Sequence, residues 1–324
     1  MISIAERLRP FSHLPGSKCL IPGTGFLVEA YPALVRVFDF DGNLIKEVTL
    51  DVQGPLKQFT VMQDLERGCV TIFCELYHVH ILPTLEVTFQ KNPPLPPLPI
   101  KERLSLGSHK KQEWEGIKKR CDFREIFPLW FRLGQLIDLP VRRGDERGTF
   151  SLLKSVQACL DAHQPEKILK NFEKLFLAGF KGMLIPRSYD EEYQGILPQE
   201  SQPSEDSPLY LLKEASLLIR SLFLLNGGNE ISILPNLPPE FPSGRMVNLA
   251  CPPFGTLDLE WSKKTARRIY FRASAEGEII FHLPSPLKQF RVRSGTQDRG
   301  KILKCGDSLE IKSGSHYLLD RFQK

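Results

Sequence analysis

Residues 231–261 read ISILPNLPPEFPSGRMVNLACPPFGTLDLEW, and the punctuation of this stretch decides how the rest of the chain folds. Just upstream, LYLLKEASLLIRSLFLLN (209–226) repeats its apolar residues at helical spacing and is expected to end at Gly227-Gly228. From Ile231 onward the period is two. Pro235 and Pro238 fix φ as the chain leaves a helical core. Ser243-Gly244 predicts a tight turn in which glycine permits an unusual φ. Trp261 offers a large apolar body and one polar handle to seal a sheet.

Continuing toward the C-terminus, ISILP, TLDLEW, RRIYFRA, GEIIFHL, QFRVRS and SLEIKSG predict about six strands. Toward the N-terminus, TFSLLKSVQACLDAH and PEKILKNFEKLFLAGF read as amphipathic helices. Thr149 is expected to cap the first, Pro165 to sit in the first turn of the second, and Gly179 to close it. A further helix is expected from Lys110 to Cys121, capped by Ser108. Another follows Asp122 with Pro128 inside its pattern, where a kink or a new start is expected. Residues 17–91 are strand-like, with hairpin turns at Asp41-Gly42-Asn43 and Arg67-Gly68. NPPLPPLP (92–99) is a stiff extended connector.

The order is β, then α, then β. The expected fold class is therefore α+β multidomain, with an N-terminal antiparallel β-sandwich over 1–98 and a C-terminal antiparallel β-sandwich over 231–324. Between them lies a short helical domain over 99–230, with about five helices and a mobile polar loop at 195–208.

The 231–261 stretch also carries a resemblance. Leu234-Pro235-Asn236-Leu237-Pro238, Phe241-Pro242-Ser243-Gly244, part of Asn248–Gly255 and Leu259-Glu260-Trp261 resemble the end of the α/α toroid and the following β-domain of glycoside hydrolase family 95, the α-L-fucosidase and α-L-galactosidase group. The similarity spans about 115 residues, from Leu209 to the C-terminus. Asn248–Gly255 lacks the family's arginine and paired glycines. The helical part is too short for a full toroid, and none of the family's catalytic motifs finds a counterpart. The resemblance implies a non-catalytic, glycosidase-like protein that binds a glycan or a protein partner.

Two other functions stay open on the residues alone. The first is an active glycoside hydrolase with its site between helix 110–121 and loop 186–195. Glycoside hydrolysis needs two carboxylates flanking a groove, and Glu113, Asp190 and Glu191 are the candidates. His109 and Glu113, four apart, would share a helix face. Trp114 and Trp130 would supply ring platforms, and Arg120, Tyr189 and Tyr193 further ligand contacts. Asp122 and Glu125 would bond sugar hydroxyls. Against these roles stand ordinary ones: core tryptophans, surface ion pairs and a solvated acidic loop.

The second alternative rests on charge. The chain carries a net +5, and eleven Lys/Arg lie between Lys263 and Lys304 against Glu276, Glu278 and Asp298. Such a module suits an anionic partner. Its aromatic content is too thin for single-stranded nucleic acid, so nucleic acid is not the partner expected.

Other classes are set aside. His78 and His80 share a strand face, but no third ligand completes a metal site. No phosphate-binding glycine loop or nucleophile elbow is present, and no cofactor is expected. Seven scattered cysteines without a CxxC pair predict free thiols. Glu6, Arg7 and Arg9 interrupt the apolar run a secretory leader needs, and no segment has the length of a membrane span. A cytoplasmic protein is expected, with export by a route needing no leader left open.

Overall fold

The structure is a computed structural model that describes residues 2–54, 56–99, 101–140, 147–192, 196, 206–295 and 298–324. Among these residues, strands occupy both ends of the chain and five helices its middle: α1 (Trp114–Arg120), α2 (Phe123–Gln135), α3 (Phe150–Asp161), α4 (Pro165–Gly179) and α5 (Leu209–Ser221). The fold is α+β with sandwich-like sheets.

The N-terminal region forms two antiparallel meanders. Ser17–Leu20, Leu27–Tyr31, Leu34–Phe38 and Leu44–Thr49 make one sheet; Thr60–Asp64, Cys69–Phe73, His78–Ile81 and Val87–Thr88 make the other. Phe11–Ser12 adds a fifth strand to the second, beside Thr60–Asp64. The turns lie where the glycines predict them: Gly42 and Gly68 both have positive φ. The proline-rich connector runs over the second turn, with Leu98 N–H donating to Glu66 O at 2.7 Å. His80 is fully buried, bonded through Nδ1 to Thr71 (2.9 Å) and through Nε2 to Gln90 O (2.9 Å). It is a core histidine.

Helix α2 is central. Phe123 and every residue from Glu125 to Gly134 are buried, so neighbours surround it. Asp122 caps it by accepting from Arg124 N–H at 3.0 Å, and the helix continues through Pro128 without a new start. It crosses α5 closely at Gly134, where an added Cβ would lie 2.5 Å from the Ser216 Cβ and 2.7 Å from Leu212 O. Phe127 and Trp130 pack edge-on against Phe172 (4.8 and 5.9 Å between centroids), and Trp130 against Phe180 at 4.4 Å. Phe127 also meets Phe241 at 5.6 Å. One apolar core thus runs from the helices into the C-terminal sheets.

Several local expectations are corrected. Helix α1 begins at Trp114, not Lys110, and Ser108 caps nothing. Residues 108–113 are instead drawn out along the N-terminal strand: Phe11 N–H donates to Gln112 O (2.9 Å), and the Gln112 side chain bonds Arg9 N–H (2.6 Å) and Arg7 O (2.8 Å). Thr149 stands at the start of α3, but its hydroxyl donates to Arg187 O at 2.7 Å and does not cap the helix. Helix α5 stops at Ser221. Leu224–Gly227 is already a strand, and Gly227-Gly228 turns it back into Glu230–Ile233.

The C-terminal region holds a seven-stranded sheet ordered Arg103–Ser105, Gly244–Cys251, Gly255–Ser262, Thr265–Ala273, His316–Gln323, Gln289–Arg293, Lys301–Lys304. Beside it lies a four-stranded sheet of Leu224–Gly227, Glu230–Ile233, Gly277–His282 and Ser308–Ile311. All pairs are antiparallel except Glu230–Ile233 with Gly277–His282. Trp261 is buried and donates its indole N–H to Phe241 O at 3.1 Å. The turn reading expects Gly244 to be needed for an unusual φ, but its φ is not positive. It opens a strand flat against the Trp261 ring, where an added Cβ would lie 2.3 Å from Cζ2 and 2.5 Å from Cη2.

Candidate functional site

A cleft of about 460 Å³ opens between α1, the N-terminal segment 12–18 and the turn 181–192. Its walls are built by contacts between distant parts of the chain. Phe11 pairs with Glu113 in a parallel bridge, which sets Ser12 beside α1. Ser12 Oγ donates to Glu115 Oε1 (2.7 Å), and Ser17 Oγ stands 2.6 Å from both Ser12 Oγ and Leu14 O, which share its single hydrogen. This hydroxyl relay ends on a carboxylate, which favours short, strong bonds. On the opposite side, Cys19 pairs with Met183, and Met183 N–H donates to Lys18 O at 2.9 Å. That bridge brings Lys181 and Gly182 against the first meander.

The 186–192 turn is held from beneath. Arg187 and Asp190 are both nearly fully buried and joined at 2.6 Å. Arg187 also donates through Nε to Ala178 O (2.8 Å) and through Nη2 to Leu177 O (3.0 Å), at the end of α4. Buried charges are tolerated only when paired and bonded in this way. With Asp190 fixed inside, Glu191 and Glu192 face the cleft. Glu191 Oε2 meets Lys181 Nζ at 3.2 Å.

Trp114 lines the cleft and also a small adjoining pocket with Lys118, Phe176, Leu177 and Phe180. It is 4% exposed and packs edge-on to Phe176 at 6.3 Å. Trp114 Nε1 and Glu115 Oε2 are buried without a hydrogen-bond partner among the described residues. Such atoms are expensive to leave unsatisfied. The lining thus combines two serine hydroxyls, two ammonium groups (Lys18, Lys181), three carboxylates (Glu115, Glu191, Glu192) and one indole.

Of the residues singled out in the sequence, Trp114 and Glu191 reach this cleft. Glu113 is exposed at the start of α1, and its side chain lies outside the lining. Asp190 is the buried partner of Arg187. Trp130 is fully buried in its aromatic cluster and presents no ring face for a ligand. Arg120 is bonded to Glu125, with Nε donating to Oε1 at 2.9 Å, and Lys110 adds a contact at 3.1 Å. Asp122 and Glu125 are therefore occupied as a cap and an ion-pair centre. Tyr189 is half-buried outside the lining, and Tyr193 lies outside the described residues, as does most of 195–208. His109 is exposed and does not share a helix face with Glu113; it borders a separate groove of about 400 Å³ with Ser105, Ser243, Gly244 and Arg245.

Ser12, Ser17, Lys18, Glu115, Lys181 and Glu192 complete the cleft. No spacing in the sequence marks them as a set, and Glu115 reads there as one half of a surface ion pair. Among the described residues, no three His, Cys, Asp or Glu side chains are placed to hold a metal ion. None of their helices is long and apolar enough to cross a membrane.

No protein-family model matches the chain, and no curated protein sequence matches it either.

Proposed function

We propose that this chain is a glycan-binding protein, akin in its C-terminal part to glycoside hydrolase family 95 but acting by recognition and not by bond cleavage. The observation that carries this is the Trp114 cleft, where an indole, two hydroxyls and a set of carboxylates and ammoniums converge. Sugar hydroxyls are bound by donors and acceptors grouped in this way, and the Trp114 indole, 4% exposed, contributes to the wall and not a stacking face. Trp114 Nε1 and Glu115 Oε2 are buried without a partner among the described residues; a ligand hydroxyl entering the cleft would reach them only as the lining adjusts. The family resemblance supports a carbohydrate as the ligand class, and the roles of Phe241, Gly244 and Trp261 give its motifs a physical reason.

One observation favours hydrolysis as a second reading: Glu115 and Glu191 line the same cleft, as a carboxylate pair must. The earlier candidates, Glu113 and Asp190, do not provide such a pair.

A glycan-array screen of the full chain tests the proposal, with Trp114→Phe and Glu115→Gln as variants. Trp114→Phe keeps an aromatic ring but removes the N–H with the five-membered ring; Glu115→Gln keeps the shape and removes the charge. Binding to a defined glycan, weakened at least about tenfold by each variant, is expected, since about 1.4 kcal/mol corresponds to a factor of ten. No binding to any glycan, or binding that neither variant alters, would remove the basis for the proposal. Release of free sugar by the native chain but not by Glu115→Gln or Glu191→Gln would establish the hydrolytic reading in its place.

A further inference from the structure

The outer face of the seven-stranded sheet holds a groove that shares no residue with the Trp114 cleft, and we propose that it binds a mononucleotide-class ligand. Arg268 and Arg293 would take the phosphate, and the Tyr270–His316 wall the planar ring. The groove encloses about 650 Å³, within the range of small-molecule sites.

Strand register defines its shape. Tyr270 pairs with Leu318, and Leu318 pairs with Arg293, so the three stand in one row across three strands. Leu318 forms the floor. Adjacent strands lie about 4.7–4.9 Å apart, which sets Tyr270 and Arg293 roughly 10 Å apart at the backbone. The Tyr270 and His316 rings are parallel within 9°, with centroids 5.6 Å apart. The Arg272 guanidinium lies 5.5 Å from the Tyr270 centroid, and Asp258 holds it there with bonds of 2.6 and 2.7 Å. The aromatic wall is thus fixed before any ligand arrives.

The charge is arranged as two clamps. Glu260 is shared by Arg245 (3.0 Å) and Arg268 (2.6 Å). Asp320 is shared by Arg291 (2.8 Å) and Arg293 (2.6 Å). Each triad of two guanidiniums and one carboxylate keeps a net charge of about +1 by simple count. The carboxylates orient the arginines, yet no carboxylate is among the groove-lining residues. Arg293 Nε is buried and has no hydrogen-bond partner among the described residues. Guanidiniums held in this way lose little freedom when they take up a phosphate.

An inorganic anion would leave the aromatic wall unused, and a neutral aromatic compound would leave the two clamps unused. A phosphate joined to a planar ring uses both. A single aromatic pair offers one stacking position, whereas binding of a single-stranded polymer needs a succession of them.

Calorimetric titration of the full chain with AMP and GMP tests this, against adenosine, inorganic phosphate, ribose 5-phosphate and an oligothymidylate. The expected result is binding of at least one mononucleotide ten or more times tighter than of adenosine, phosphate or ribose phosphate. Tyr270→Leu and Arg293→Gln should each weaken it about tenfold or more in protein whose circular dichroism is unchanged. Should Arg293→Gln disturb the fold by freeing Asp320, the ligand series on the native chain decides alone. Absence of mononucleotide binding, equal affinity for phosphate and nucleotide, or tighter binding of the oligonucleotide would overturn the inference. None of these results depends on what the Trp114 cleft binds.

Discussion

Replacing Gly244 by alanine tests the packing at the centre of the 231–261 stretch. The new methyl would stand 2.3 and 2.5 Å from the Trp261 ring and 2.8 Å from Ser105 O. One of these contacts is with backbone, so the ring must move. Overpacking of this kind costs about 1–3 kcal/mol. A displaced Trp261 also loses its 3.1 Å bond to Phe241 O, leaving a buried N–H unpaired at about 1–3 kcal/mol more. The total, about 2–6 kcal/mol, is a large share of ordinary protein stability. It should appear in urea denaturation followed by circular dichroism as a lower midpoint with an unchanged slope. Gly227→Ala is the control: nothing lies within 4 Å of its added methyl, and its φ is not positive, so a change within about 0.5 kcal/mol is expected. Trp261→Phe removes the ring atoms that clash. The double variant with Gly244→Ala should then lose less than the sum of the two single losses, by about 0.5–3 kcal/mol. A Gly244→Ala protein as stable as the native chain, or strict additivity in the cycle, would refute the account.

Two further outcomes are expected. Asp190→Ala takes from the buried Arg187 its 2.6 Å partner and leaves the longer 3.7 Å contact with Glu192, and should cost about 3–5 kcal/mol in the same assay; Glu191→Gln, on an exposed pair, should cost under about 0.5 kcal/mol. Stability should also fall on acidification, in stages. Burial holds the His80 imidazole below its ordinary value, so stability begins to fall as pH drops below about 6.5, where the unfolded chain takes up the proton first. The bonds from Arg291 and Arg293 hold Asp320 below the usual carboxylate range, and those from Arg268 and Arg245 do the same for Glu260. Their contribution is complete above about pH 4–5 and is lost as pH falls through the folded-state values. Burial raises the Glu6 carboxyl and offsets part of this loss. Urea midpoints measured against pH check the sequence of stages, and Asp320→Asn should flatten the lowest one.

How much of this was legible in the sequence depended on whether local chemistry was left to act alone. The N-terminal hairpins were legible because Gly42 and Gly68 sit where positive φ is needed, with alternating strands on both sides. Asp122 was legible as a cap because its partner is two residues away. Ser108 and Lys110–Glu113 carry an equally good helix signal, yet they are extended, because Gln112 bonds to Arg7, Arg9 and Phe11, about a hundred residues earlier. Phe223 and Leu224 continue the apolar run of α5 without a break, yet Phe223 lies in a turn and pairing with Ile233 makes Leu224 the start of a strand. Gly244 could be located but its purpose could not, since the Trp261 ring that requires it sits on the next strand.

The Trp114 cleft follows the same logic to its limit. Apart from Glu191, each of its polar residues has an unremarkable setting in sequence, and two long-range bridges, Phe11 with Glu113 and Cys19 with Met183, draw segments 12–18, 114–115 and 181–192 together. The register of α1 then decides which acid faces inward. The Phe11–Glu113 bridge places Ser12 one residue on, where its hydroxyl donates to Glu115 at 2.7 Å. A helix begun at Lys110 would draw Gln112 and Glu113 out of the extended pairing with Arg7, Arg9 and Phe11 that sets Ser12 beside α1. The same pairing that overrides the local helix signal therefore builds one wall of the candidate site, which is why Trp114 and Glu191 were legible there and Ser12, Ser17 and Glu115 were not.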